Sequence, residues 1–238
     1  MSSTDRVARR MYRDPRYDGT RRFYGWMRQQ TNEETVLLNL GAGPATGSQV
    51  RSFRGEVAKV VGADVHPCVL ENVELDEAVL IKDDVVPFSD ATFDVVFSDY
   101  VLEHVERPDP FLCEAHRLLK PGGSFFFRTP NIWHYIGLIS SVTPHWFHRA
   151  VANRARGHAD QSQEPWPTFY RLNTCSRISL SARKAGFRHI ELQMVETEPS
   201  YLRFHLLPFL LGVGYERLVN STEALAGLRA NIFGRLTR

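Results

Sequence analysis

The sequence predicts an α/β fold: a doubly wound, mostly parallel sheet with helices on both faces and a helical insert after the fifth strand. Three observations predict it. Short apolar runs alternate with helix-like segments between residues 35 and 131. Two glycines, Gly41 and Gly43, follow the first run directly. The alternation resumes at residue 174 after a long interruption. Strands separated by helices form right-handed βαβ units, and such sheets are covered on both faces.

Residues 1–30 read as one or two short basic helices, broken near Asp14-Pro15 and Gly19. Thr35–Leu40 is a buried strand, because a short apolar run ends at glycines. A helix is expected after Gly47. Val57–Gly62 is the second strand, ending at Ala63-Asp64, and Pro67–Glu74 is a short helix. Ala78–Ile81 and Phe93–Ser98 are the third and fourth strands. Pro108–Leu119 is a helix with proline near its start, stopped by Pro121-Gly122-Gly123. Ser124–Arg128 is the fifth strand.

Residues 131–172 are too long for a connecting loop and read as a helical insert or lid. They carry Trp133, Trp146 and Trp166. Thr174 then caps a helix over Ser176–Lys184, and His189–Val195 is a strand. Residues 201–227 are helical and apolar, and Ala230–Leu236 is a last strand. The division is therefore a basic extension (1–30) and one main domain (31–238) holding the insert and the apolar segment.

Composition bounds the function. The chain has 238 residues, 43 % hydrophobic and 24 % charged, as a globular domain should. Its net charge of +2 hides a block over residues 31–138 at net −9, flanked by basic segments. The surplus positive charge suggests an anionic acceptor or an anionic surface carrying it. Cys68, Cys113 and Cys175 are widely spaced, which fits a reducing cytoplasm and neither a disulfide framework nor a zinc site. The amino terminus lacks the apolar core of a secretory signal. Phe204–Tyr215 is too short to span a bilayer. It is expected to pack on the domain or form a dimer contact, with peripheral contact at the inner membrane face as the alternative.

The chemistry concentrates at Asn39-Leu40-Gly41-Ala42-Gly43 and at Asp64, 21 residues after Gly43. Glycines let backbone approach a ligand, and an acidic group ending the second strand can accept both hydroxyls of a ribose. A dinucleotide site would want a third glycine at position 46, which is Thr46. The segment instead resembles the first motif of the Rossmann-like S-adenosylmethionine-dependent methyltransferases. Asp84-Val85-Val86-Pro87-Phe88-Ser89-Asp90-Ala91-Thr92-Phe93-Asp94, Leu102-Glu103-His104-Val105, Leu118-Leu119-Lys120-Pro121-Gly122-Gly123 and Thr129-Pro130-Asn131 resemble later motifs of that class, the last in its ubiquinone-biosynthesis-like branch.

The resemblance implies a role for each matching position. Asn39, Gly41, Ala42 and Gly43 would cradle the methionine moiety of S-adenosyl-L-methionine. Asp64, with Val65 beside it, would hold the ribose. Asp83 or Asp84, with Val85, would face the adenine, and Ser98 would lie under the methionine end. Asn39 replaces the usual acidic residue, and Ala45 replaces a third glycine. Tyr100 stands where the ubiquinone-type branch has a carboxylate, and no metal is expected.

For the acceptor, O-methylation of a small or lipid-linked hydroxyl compound, a cell-surface glycan or lipid, is the first expectation. His104 and His134 are the candidate general bases, since imidazole titrates near neutrality. Glu103 reads as a carboxylate at a helix start. His145 and His148 lie beside aromatics but lack a third metal ligand. Arg149, Arg154, Arg156 and Arg171 could meet a phosphate or carboxylate. The rivals are a quinone or phenolic methyltransferase, an RNA methyltransferase and a non-catalytic subunit. The turn that methylators of base nitrogens place after the fourth strand is missing from Ser98-Asp99-Tyr100, which argues against nucleic acid.

Overall fold

The computed structural model describes residues 2–135 and 166–238. The expectations for Trp146, for the two histidines and three arginines between residues 145 and 156, and for most of the insert lie outside these. Seven strands form one sheet: β1 (Val36–Leu40), β2 (Lys59–Asp64), β3 (Glu77–Leu80), β4 (Phe93–Asp99), β5 (Leu119–Pro130), β6 (His189–Val195) and β7 (Asn231–Thr237). Their order is β3-β2-β1-β4-β5-β7-β6. The pairs β1–β2, β2–β3, β1–β4 and β4–β5 are parallel. The chain winds outward from β1 to β3 and returns on the other side of β1 as β4. That reversal opens a crevice at the carboxyl ends of β1 and β4, where such folds bind ligands.

The central strands are apolar on both faces. Leu37, Leu38, Val96 and Phe125 to Phe127 are fully or almost fully buried. The acidic block is partly structural. Asp94 accepts the Val36 amide at 2.9 Å and Asp76 accepts the Val60 amide at 2.8 Å. Carboxylates thus satisfy amides at the amino ends of β1 and β2.

Five α-helices are described: α1 (Ser3–Met11), α2 (Gly19–Arg28), α3 (Pro108–Leu118), α4 (Cys175–Lys184) and α5 (Leu206–Asn220). Ser2 and Asp5 form a capping box on α1. Thr174 caps α4 by accepting the Arg177 amide at 3.2 Å, as its sequence position predicts.

Two expectations fail. No α-helix follows Gly47; the chain from there to β2 is turns. Pro44, Gly47, Ser48, Ser52 and Gly55 are weak helix formers, and side chains satisfy the backbone instead. The Glu74 carboxylate accepts the amides of Thr46 (3.1 Å) and Gly47 (2.6 Å). The Arg28 guanidinium donates to the carbonyls of Val50 (2.9 Å) and Ser52 (2.7 Å). The second concerns Pro121-Gly122-Gly123, which lies inside β5 rather than ending α3. The β4–β5 register shifts there, from Phe93 opposite Leu119 to Val95 opposite Ser124. Gly122 takes φ +81°, a left-handed value that glycine adopts without strain.

Two compact units divide the chain. One holds Phe23–Thr129, Thr168–Gln193 and Ile232–Arg238; the other holds the described parts of Met1–Arg22, Pro130–Pro167 and Met194–Asn231. In the second unit α1 packs on α5 through Ala8, Phe209 and Val213. The Tyr12 hydroxyl donates to Glu216 at 3.0 Å. α5 leaves Leu207, Leu211 and Leu218 exposed, so the apolar segment packs on its unit along one face only. Among the described residues no helix is long and apolar enough to cross a membrane.

Candidate active site

The glycine turn leaves β1 at Leu40 and is shaped by close packing. Gly41 has φ +85°, and a Cβ placed there would lie 2.4 Å from Val101 Cγ2. Only glycine fits both the dihedral and the space. Val101 is brought there by Tyr100, which holds φ +57° just past β4 and turns the chain sharply. The Gly41 amide donates to the Ala63 carbonyl at 2.7 Å, which fastens the turn to β2.

Asp64 ends β2 and organises the same turn. Its Oδ2 accepts the Gly43 amide at 2.9 Å, and its Oδ1 accepts the His66 amide at 2.8 Å. Each oxygen keeps a further lone pair for an incoming hydroxyl. Val65 and Val85 are exposed apolar side chains. Asp83 and Asp84 hold left-handed φ values of 51° and 61° in the turn closed by the Lys82–Val85 bridge. Asp84 pairs with Arg107 at 3.3 Å. Ser98 is fully buried, and its hydroxyl donates to the Leu40 carbonyl at 2.7 Å. It ties β4 to β1 at the foot of the glycine turn.

A cleft partly open to solvent adjoins this turn. Asn39, Gly41, Ala42, Arg51, Glu74 and Asp99 are among its lining residues. A network that sequence reading missed forms its charged wall. Asp99 accepts two hydrogen bonds from the Arg128 guanidinium, the one from Nη2 at 2.9 Å, and one from the Tyr24 hydroxyl at 3.0 Å. Arg51 stands 3.7 Å from Asp99. Arg128 is 2 % exposed, so this ion pair is buried and its partners are fixed in place. The signal was faint because these residues come from α2, the turn segment, β4 and β5.

The two histidines have different settings. His104 ends a short 3-10 turn, Leu102–His104, in the unit that holds the glycine turn. His134 lies in the other unit, almost fully buried, with Nε2 at 3.4 Å from Glu196 and the rings of Tyr135 and Tyr215 against it. Burial lowers the imidazole to about 4, and burial raises the Glu196 carboxyl to about 7. These shifts bear on stability with opposite signs. Between about pH 6.5 and 4 the unfolded chain protonates His134 before the native state does, which destabilises the fold as pH falls. Between about pH 7 and 4.5 the native state protonates Glu196 first, which stabilises it. The two nearly cancel around pH 5.5. In Glu196→Gln only the histidine contribution remains. Its melting temperature is expected to drop relative to wild type as pH is lowered from 6.5 to 4.5; parallel curves would refute the assignment.

Among the described residues no cluster of three or more His, Cys, Asp or Glu could hold a metal ion.

Residues 38–127, from β1 into β5, match the family model of a methyltransferase domain. The chain carries a methyltransferase domain. Over 93 residues it is 32 % identical to the demethylmenaquinone methyltransferase of Tropheryma whipplei, covering 37 % of this chain and 38 % of that protein. Over 116 residues it is 29 % identical to the ubiquinone biosynthesis O-methyltransferase of Pseudomonas syringae pv. tomato, covering 44 % and 49 %. The chain thus spans less than half the length of these relatives. In fold it is similar to phosphoethanolamine N-methyltransferase 2 of Haemonchus contortus, crystallised with S-adenosyl-L-methionine. The TM-score is 0.56 at 18 % identity, over 91 % of this chain and 52 % of that one.

S-adenosyl-L-methionine is the cofactor of this domain class, and the residues present fit it. Asn39 Oδ1 is buried beside the turn with no hydrogen-bond partner among the described residues, an acceptor suited to an ammonium group. At Gly43 no atom lies within 4 Å of where a Cβ would stand, so the backbone of the turn is open to a ligand there. The cleft offers Arg51 for a carboxylate, and Asp64 retains acceptor capacity for ribose hydroxyls.

Proposed function

We propose that the chain methylates a ring hydroxyl of a small quinol- or phenol-type acceptor, with S-adenosyl-L-methionine as donor. The observation that carries the reading is the glycine turn clamped between Asp64 and Val101 at the sheet's reversal. The names of the relatives favour a quinone-class acceptor over the glycan or lipid that the sequence alone put first, and that of the ubiquinone biosynthesis O-methyltransferase favours a hydroxyl as the atom methylated. When bound, the cofactor supplies an electrophilic methyl group on a sulfonium. The protein's part is mainly placement, which can supply a large share of the rate in a one-step transfer. Asn39, Gly41, Ala42 and Gly43 hold the amino-acid end, with Arg51 toward its carboxylate. Asp64 binds the ribose, and Asp83, Asp84, Val65 and Val85 line the adenine side. Ser98 and the Arg128–Asp99 pair keep the ends of β4 and β5 rigid beneath the reacting atoms.

Methyl-labelled cofactor, offered with a panel of catechols, hydroquinones and simple phenols, tests the reading. Label recovered as an aryl methyl ether supports it. Label found only in glycan or lipid extracts overturns the acceptor class while leaving the cofactor intact.

A further inference from the structure

Glu103 is a buried carboxylate that the foregoing account does not use. It lies two residues past Val101, the side chain packed on the Gly41 turn, and four residues past the end of β4. It is 6 % exposed, and no cation lies within ion-pair distance of it among the described residues. The Thr129 hydroxyl meets its Oε2 at 3.1 Å. Thr129 is itself fully buried, and its oxygen accepts the Asn173 side-chain amide at 2.8 Å. A hydroxyl has one proton to give. With Asn173 donating to it, Thr129 directs that proton at Glu103, so the chain runs Asn173 to Thr129 to Glu103. The Phe169 and Tyr170 amides donate to the Glu103 main-chain carbonyl at 2.8 and 3.1 Å and hold the re-entering chain over it.

We propose that Glu103, positioned by Thr129 and Asn173, takes the proton of the acceptor hydroxyl. The proposal rests on the methyltransferase reading above. In the step, one carboxylate oxygen receives the O–H proton as the new oxygen–carbon bond forms. The sulfur–carbon bond breaks and leaves its electron pair on sulfur. The proton then passes from Glu103 to water, which restores the carboxylate.

The charged groups around Glu103 suit this task. Burial raises its carboxyl to about 7, and Asp99 on β4 adds to the rise. Its own backbone amide, the Thr129 hydroxyl and Arg128 on β5 pull the other way. Arg128 is committed to Asp99 by two hydrogen bonds, so its pull on Glu103 is not a salt bridge. A base must be unprotonated, so turnover should rise with pH through about 7.

The test uses full-length protein, labelled cofactor and catechol as the acceptor. Glu103→Gln should lose about a hundredfold or more in kcat, with cofactor affinity unchanged and the rise near pH 7 abolished. Thr129→Val removes a bond that favours the carboxylate, so its rise should move to higher pH; a purely structural role would not move it. A kcat for Glu103→Gln within about threefold of wild type, or an unmoved rise in Thr129→Val, overturns the proposal. Should Glu103→Gln fail to fold, the Thr129→Val profile decides. Infrared titration of the wild type needs no acceptor. A carboxylic-acid band at pH 6 that is weakened in Glu103→Gln supports the proposal; no such difference overturns it. Wild-type protein that shows the band yet binds no cofactor overturns the methyltransferase reading, and this proposal with it.

Discussion

Asp64→Ala should bind S-adenosyl-L-methionine about a hundredfold more weakly than wild type. Hydrogen bonds to a charged group are worth roughly 1.5–3 kcal/mol each, and about 1.4 kcal/mol is a factor of ten. The carboxylate is placed to accept two ribose hydroxyls, so the loss exceeds one such bond. It also accepts the Gly43 and His66 amides, and without it both donors of the turn lose their partner. Asp64→Asn has one acceptor oxygen and an amino group that meets an N–H donor, so it should fall between the two. Titration calorimetry reads all three proteins. Equal affinity in wild type and Asp64→Ala would remove Asp64 from the site.

Gly41→Ala should be the most damaging single methyl group near the site. The left-handed φ of +85° costs a residue with a Cβ about 1–2 kcal/mol. The methyl would lie 2.4 Å from Val101 Cγ2, and such overpacking costs about 1–3 kcal/mol more. For a chain of this size the sum lowers the melting temperature by about 5–15 °C. Cofactor binding should weaken with it, because the cradle must open. Val101→Ala in the same chain removes the collision and leaves the dihedral strain, so it should restore part of the loss. A Gly41→Ala protein that melts within a degree of wild type would show that the turn is not packed as described.

The fold and the glycine turn were legible because both depend on local pattern. β1 and β4 are short, mainly apolar runs bounded by glycine or by turns, and the burial of Leu37, Leu38, Val95, Val96 and Phe97 leaves that mark in sequence. Asp64 could be found from its spacing because it ends a strand next to the one that carries the turn. The segment after Gly47 misled because its hydrogen bonds are completed from a distance, by Glu74 and Arg28. The Tyr24–Asp99–Arg128 cluster was invisible for the same reason, since Tyr24 and Asp99 are 75 positions apart. Glu103 was read as a carboxylate at a helix start, and it stands in the first turn of the 3-10 segment Leu102–His104. What sets Glu103 apart is burial against Thr129 and Asn173, and these meet it only through the tertiary fold.

The central claim is that the turn between Asp64 and Val101 is a cofactor cradle. Calorimetric titration of S-adenosyl-L-methionine into the wild-type chain tests it most directly. The account predicts saturable one-to-one binding that S-adenosylhomocysteine displaces and that Asp64→Ala weakens by about two orders of magnitude. Absence of binding by folded wild-type protein would contradict it.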